Sequence, residues 1–178
     1  GNTQTPAPSN GKKVFVSAVD ERVFQIKPDS FDIPSLKYDD IDDKSITERA
    51  IARKRNNFNW AIGDVLLPKG RTVAGLVSDA VASAYRQAGY EVVSTPTGGD
   101  VRKVQVRILE FWSWSGVDGV LDKGVRNQSL LQIKPAGAPE YSVKTLVTEN
   151  VKVVTDSDWK KITEDGLEAI TQETLKKL

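Results

Sequence analysis

The stretch over residues 101–114 (VRKVQVRILEFWSW) constrains the fold more than any other part of the chain. Val104, Val106, Ile108, Trp112 and Trp114 fall on one parity, and Lys103, Gln105 and Arg107 fall on the other. Successive side chains of a strand point to opposite faces, so the pattern gives one buried and one wet face and favours an antiparallel sheet. Glu110 interrupts the parity, which places a β-bulge near residues 109–111. Such a sheet needs something to cover its apolar face.

Two amphipathic segments answer that need. Over residues 72–88, Val73, Leu76, Val77, Ala80, Val81, Ala84 and Ala88 recur at spacings of three and four, an apolar stripe on a helix. Gly89 follows as a natural helix terminator. Over residues 157–177, Trp159, Ile162, Gly166, Ile170 and Thr174 share one side, with Asp156 or Ser157 as the expected cap. Further strands are predicted over residues 12–20, 90–94, 126–134 and 141–153, the last two joined by the turn PAGAP at 135–139. Apolar residues on both faces of the first suggest an interior strand. The fold class is therefore α+β: an antiparallel or mixed sheet of four or five strands, both helices packed on one face, the other face partly solvated.

At 178 residues the chain makes one domain over residues 12–178. Residues 1–11 (GNTQTPAPSNG) lack periodicity and read as a flexible leader or tether. Residues 27–60 read as a long excursion from the sheet. Its first part carries Asp29, Asp32, Asp39, Asp40, Asp42 and Asp43, and Pro28 and Pro34 keep it irregular. Residues 45–55 predict a short helix with Ile46, Ala50 and Ile51 inward, bearing the cations Arg49, Arg53, Lys54 and Arg55. No apolar run reaches the about 18 residues that span a bilayer, so the chain is expected to be soluble. It begins at Gly1 and contains no Met, which reads as a mature protein whose secretory signal has been removed.

Composition removes much chemistry. Without Cys or His there is no thiolate nucleophile, no zinc–thiolate site, no serine-hydrolase triad and no imidazole-ligated metal. A net charge of +1 argues against nucleic acid as a partner. Carboxylate-pair hydrolysis is the enzyme class left open, with Asp20, Glu21 and Glu110 as candidates no different from the carboxylates of any soluble protein. The run DDIDD at 39–43 offers oxygen ligands for Ca²⁺ but lacks the Gly and distant Glu of an EF-hand loop, and reads as a solvated loop. Gly98-Gly99-Asp100 lacks the Lys-Ser/Thr of a phosphate loop. No catalytic, cofactor or metal site is assigned.

A partner surface is the remaining candidate. Strand parity turns Trp112 and Trp114 toward the core and leaves Phe111 on the outer face. Arg49, Arg53 and Arg55, with Asp39 and Asp40, form the charged part of the same candidate surface.

One further pattern is informative as a set. The first strand ends in a charged Asp-x-Arg (Asp20, Arg22), Ile62-Gly63 precedes the main helix, and that helix closes in Ala88-Gly89-Tyr90-Glu91-Val92 before the long alternating strand. Over residues 12–115 this resembles the YajG-type family of Gram-negative envelope lipoproteins, and small αβ domains of auxiliary lipoproteins of ABC transporters. The resemblance implies a lipid-bearing Cys upstream of residue 1, an outer-membrane anchor, a domain facing the periplasm, and no catalytic residues to transfer. The expected function is a non-catalytic envelope domain that binds or scaffolds a protein or envelope partner, through a sheet edge or the 27–60 excursion, with no cofactor. Membrane contact would come only through the upstream anchor. The alternative is a small carboxylate-pair hydrolase acting on cell-wall glycan.

Overall fold

A computed structural model describes residues 7–56, 58–116 and 124–178. The element order is β1 (Lys13–Asp20), α1 (Lys44–Thr47), β2 (Ala50–Arg55), β3 (Ala61–Leu66), α2 (Val73–Gln87), β4 (Glu91–Val92), β5 (Val101–Gly116), β6 (Gly124–Pro135), β7 (Tyr141–Asn150) and α3 (Asp156–Lys177). The long alternating strand, β5, organises the sheet. One of its edges pairs in parallel with β1, from Lys13↔Val101 to Asp20↔Ile108, and then with β2 at Ala52↔Ser113. Its other edge pairs antiparallel with β6, and β6 pairs antiparallel with β7. β3 pairs antiparallel with β2, and the two-residue β4 pairs in parallel with β1. The sheet is mixed and has seven strands, where four or five were expected.

Of the two additional strands, β2 comes from the excursion and β3 follows directly after it. The helix expected over residues 45–55 is a single turn, α1, followed by the strand β2. Apolar spacing over so few residues fits either period, and tertiary pairing decides between them. Arg53 stands opposite Asp64, while Lys54 reaches the other way to Asp156 at the start of α3. That is strand alternation. Leu36, Ala50 and Trp112 bury themselves together on the sheet face away from the helices, with Phe24, Ile46, Leu66 and Trp114 around them. Residues of the excursion thus cover the far half of the back face. The near half stays wet, with Lys103, Gln105 and Arg107 exposed.

The helices occupy the front face. Val14, Val16, Val104, Val106, Ile108, Leu131 and Ile133 of the sheet meet Val73, Val77, Val81 and Tyr85 of α2 and Ile170 of α3. Thr72 caps α2, accepting from the amide of Gly75 at 3.0 Å. Thr155 caps α3, one residue before the first expected cap, Asp156, and two before the other, Ser157: the amide of Thr155 donates to the Asp158 carboxylate at 2.7 Å. Trp159, Ile162, Gly166, Ile170 and Thr174 are all buried, as their shared side predicts. Gly166 has a packing reason, because a Cβ there would meet Asn127 Oδ1 at 2.1 Å.

The bulge in β5 lies where Glu110 places it, as a register shift between Ile108 and Glu110. It also inverts the facing of everything beyond. Phe111, expected on the outer face, is fully buried in the front core, and Trp112 is buried in the back cluster. The parity reading carried one alternation across a bulge that shifts it by a residue. Of the expected leader, residues 1–6 lie outside the described residues. The amides of Ala7 and Asn10 donate to the carbonyls of Gln87 and Gly89 at 2.9 and 3.0 Å, so this part is held against the C-terminus of α2. The connection between β5 and β6, residues 117–123, also lies outside the described residues.

Candidate functional site

Asp20 and Arg22 show what the charged end of β1 does. The Arg22 side chain is fully buried. Its Nη1 donates to the carbonyls of Ala50 (2.6 Å) and Phe111 (3.0 Å), and its Nη2 to that of Thr47 (2.9 Å). Nε and Nη2 also hold the Asp20 carboxylate at 2.9 and 2.8 Å. The guanidinium therefore fastens α1 and the start of β2 to β5, at the point where β1 ends and β2 takes its place beside β5. It lines a small concavity of about 380 Å³ with Phe24, Ile41 and Lys44. Its donors are directed into the fold, so the pair is structural.

The larger concavity lies on the front face. α2 packs over β1, and α3 over β6 and β7. The β2–β3 hairpin extends the sheet beside them, and a groove of about 740 Å³ opens between hairpin, α3 and the entry to α2. Ile51, Val65, Leu67, Leu76, Trp159 and Leu167 supply its apolar lining. Lys54, Arg71, Asp156, Lys160 and Glu164 supply its charges. Lys54 Nζ and Asp156 Oδ1, 2.6 Å apart, tie the hairpin to the first turn of α3. Arg71, Lys160 and Glu164 are exposed. An apolar floor with a charged rim of both signs can hold an amphipathic segment and orient it.

The charged residues singled out in the sequence are separated by strand alternation. Arg49 Nε donates to the Leu67 carbonyl at 3.0 Å. Arg53 faces the Asp64 carboxylate at 3.8 Å and donates to Ser35 Oγ at 3.4 Å. Burial pushes the Asp64 carboxyl above its ordinary range; Arg53 opposes this and the neighbouring Asp40 reinforces it. Arg55 donates to the Asn59 carbonyl at 3.0 Å, and its guanidinium lies 4.4 Å over the Phe31 ring. Asp39 is exposed, and Asp43 caps α1 through Ser45. Arg49 and Arg53 thus hold the hairpin to its surroundings, Asp40 lies near Asp64, and none of the three combines with Phe111 into one surface. The carboxylates considered for hydrolysis are likewise engaged: Asp20 with Arg22, Glu21 with Arg107 at 2.7 Å, and Glu110 with Gln128 at 2.7 Å. Among the described residues no group of three or more Asp or Glu is placed to hold a metal ion, and no helix is long and apolar enough to cross a membrane.

Sequence reasoning missed the groove. Its walls come from three separated segments, and only the pairing of β2 with β5 brings them together. It also missed the hairpin apex, where Phe58, Trp60 and Ile62 stand out in solvent. Asparagines at 56, 57 and 59 between two apolar runs were the available turn signal.

No family model matches the chain, and no curated protein matches it. Solved structures do. The chain is similar to an uncharacterized protein at 12% identity and a TM-score of 0.52, covering 97% of this chain and 95% of that one. It is also similar to protein XCC0632 of Xanthomonas campestris, from the family DUF330, at 12% identity and a TM-score of 0.46, covering 98% and 85%. A minor lipoprotein of Acinetobacter baumannii matches at 8% identity and a TM-score of 0.43, over 62% and 84%. The first of these similarities establishes a shared fold.

Proposed function

We propose that this chain is a non-catalytic binding domain of the bacterial cell envelope that takes a segment of a partner into the groove between the β2–β3 hairpin and α3. The observation that carries the reading is the groove itself: on the helix side of the sheet, half-buried Val65, Leu76 and Leu167 lie over the buried Ile51, Leu67 and Trp159 and are rimmed by charges of both signs. A buried apolar centre with a polar margin is the build of a recognition surface. The engaged state of Asp20, Glu21 and Glu110 supports binding over hydrolysis. The envelope part rests on the Asp20–Arg22 pattern and its sequence resemblance, and Arg22 gives that pattern a structural reason.

Residues 1–178 contain no Cys, and the expected upstream Cys would carry its lipid through its sulfur, so an introduced cysteine is the one free thiol. Arg71→Cys and Lys160→Cys in the full-length gene product place a thiol on the groove rim, and Lys103→Cys places one on the wet back face. In intact envelopes the two rim thiols should be protected from a maleimide relative to the purified protein, with Lys103→Cys labelled equally in both. Equal labelling at all three positions sinks the groove reading. Release of soluble fragments from purified cell-wall glycan, abolished by Asp156→Asn or Glu164→Gln, would replace it with the hydrolase. Incorporation of labelled palmitate into the full-length product tests the anchor, and its absence removes the lipoprotein part.

A further inference from the structure

The β2–β3 hairpin ends in apolar side chains held in solvent. Phe58 is 79% exposed, Trp60 71% and Ile62 63%, with the Phe58 and Trp60 ring centroids 6.3 Å apart. A scattered exposed leucine needs no explanation, but three large apolar groups within five residues at one apex do.

The apex is also built. Asn56 Oδ1 accepts from the amides of Phe58 (2.9 Å) and Trp60 (3.0 Å). The Asn56 amide donates to the Trp60 carbonyl and the Asn59 amide to the Asn56 carbonyl, both at 2.9 Å. Asn59 takes a left-handed φ of 64°, and its carbonyl accepts from Arg55. These main-chain groups are satisfied inside the apex, while the rings point away from the fold. Such an Asn-based turn is ordinary at an exposed hairpin end, so it is the exposed rings that call for a partner. Trp is a side chain that settles at the headgroup level of a bilayer.

The apex itself carries no acid: none falls among residues 55–63, and its one cation is the half-buried Arg55 at its base, over the Phe31 ring. Lys54, the cation beside it, ties the hairpin to Asp156.

We propose that this apex inserts into the headgroup region of an anionic phospholipid bilayer, with Trp60, Phe58 and Ile62 below the phosphates and Arg55 against them. The contact is independent of the groove and of any upstream anchor. The purified full chain is mixed with phosphatidylglycerol/phosphatidylethanolamine vesicles and, separately, with phosphatidylcholine vesicles. Sedimentation with the anionic vesicles should exceed that with phosphatidylcholine and weaken with salt. Trp112 and Trp159 are buried and Trp114 is half-buried against the back cluster, so a blue shift of emission on binding should come chiefly from Trp60 and be lost in Trp60→Ser. Phe58→Ser/Trp60→Ser should lower partitioning by about tenfold or more. These positions are exposed, so the melting temperature should hold; Ile62→Ser gives a second, milder variant. No sedimentation above the phosphatidylcholine level, or undiminished binding by the double variant, overturns the proposal. Absent vesicle binding alongside an apex cross-link to an envelope protein would assign the apex to a protein partner instead. Protection of the groove-rim cysteines should be unchanged by the apex variants, which separates the two readings.

Discussion

Replacing Arg22 by alanine removes the group that joins α1, β2 and β5. The substitution leaves the carbonyls of Thr47, Ala50 and Phe111 without their donor, and leaves Asp20 without its bidentate partner. Each buried acceptor left unpaired costs about 1–3 kcal/mol, less where water enters the vacated space. Breaking a buried ion pair by deleting one partner costs about 3–5 kcal/mol in total. The Asp20 side chain is only 17% exposed, so solvent does not fully replace the guanidinium. A loss of about 3–5 kcal/mol is expected, which lowers the melting temperature of a domain this size by roughly 6–20 °C. Arg22→Lys restores a charge but offers one ammonium where a planar fork serves three carbonyls and a carboxylate, so it should recover only part of the loss. Urea unfolding followed by far-UV circular dichroism gives both the midpoint and the slope. A midpoint shift equivalent to less than about 1 kcal/mol in Arg22→Ala, with an unchanged slope, would refute the reasoning.

Phe111→Ala should cost about 3–5 kcal/mol in the same assay, because the ring is fully buried beyond the bulge; a neutral result would return it to the surface. Gly166→Ala should destabilise by about 1–3 kcal/mol despite alanine's better helix propensity, because the Cβ displaces Asn127 from its 2.9 Å bond to Ser113. Adding Asn127→Ala should then cost less than the sum of the two single changes, and strict additivity would deny the contact. Asp64 should titrate above an ordinary aspartate in carboxyl-carbon NMR. Between the ordinary and raised values the folded state keeps a proton that the unfolded chain has released, so this group's contribution to stability falls as pH rises through that window. A midpoint at or below the ordinary value contradicts the burial assigned to it.

Long periodic elements were legible because their own side chains carry the signal. The stripes of α2 and α3 each run over several turns, and Val104, Val106 and Ile108 alternate without interruption. Where the signal is short, the partner decides. Ala50 and Ile51 fit a helical spacing as well as a strand, and only the ladder with β5 and β3 makes them a strand. Even a correctly located bulge misleads when its effect on parity is not followed through, as the burial of Phe111 shows. The groove joins Ile51, Leu76 and Trp159, residues far apart in the chain, so no local pattern announces it. Asp20 and Arg22 were visible as a pattern, but their role depends on three carbonyls from other elements.

The most direct test of the central claim is photocross-linking in living cells from p-benzoylphenylalanine placed at Lys160 on the groove rim and, in parallel, at Lys103 on the back face of the full-length product. The account expects a discrete, reproducible adduct from position 160 that position 103 does not give. Matching adducts from both positions, or none from position 160, would contradict it.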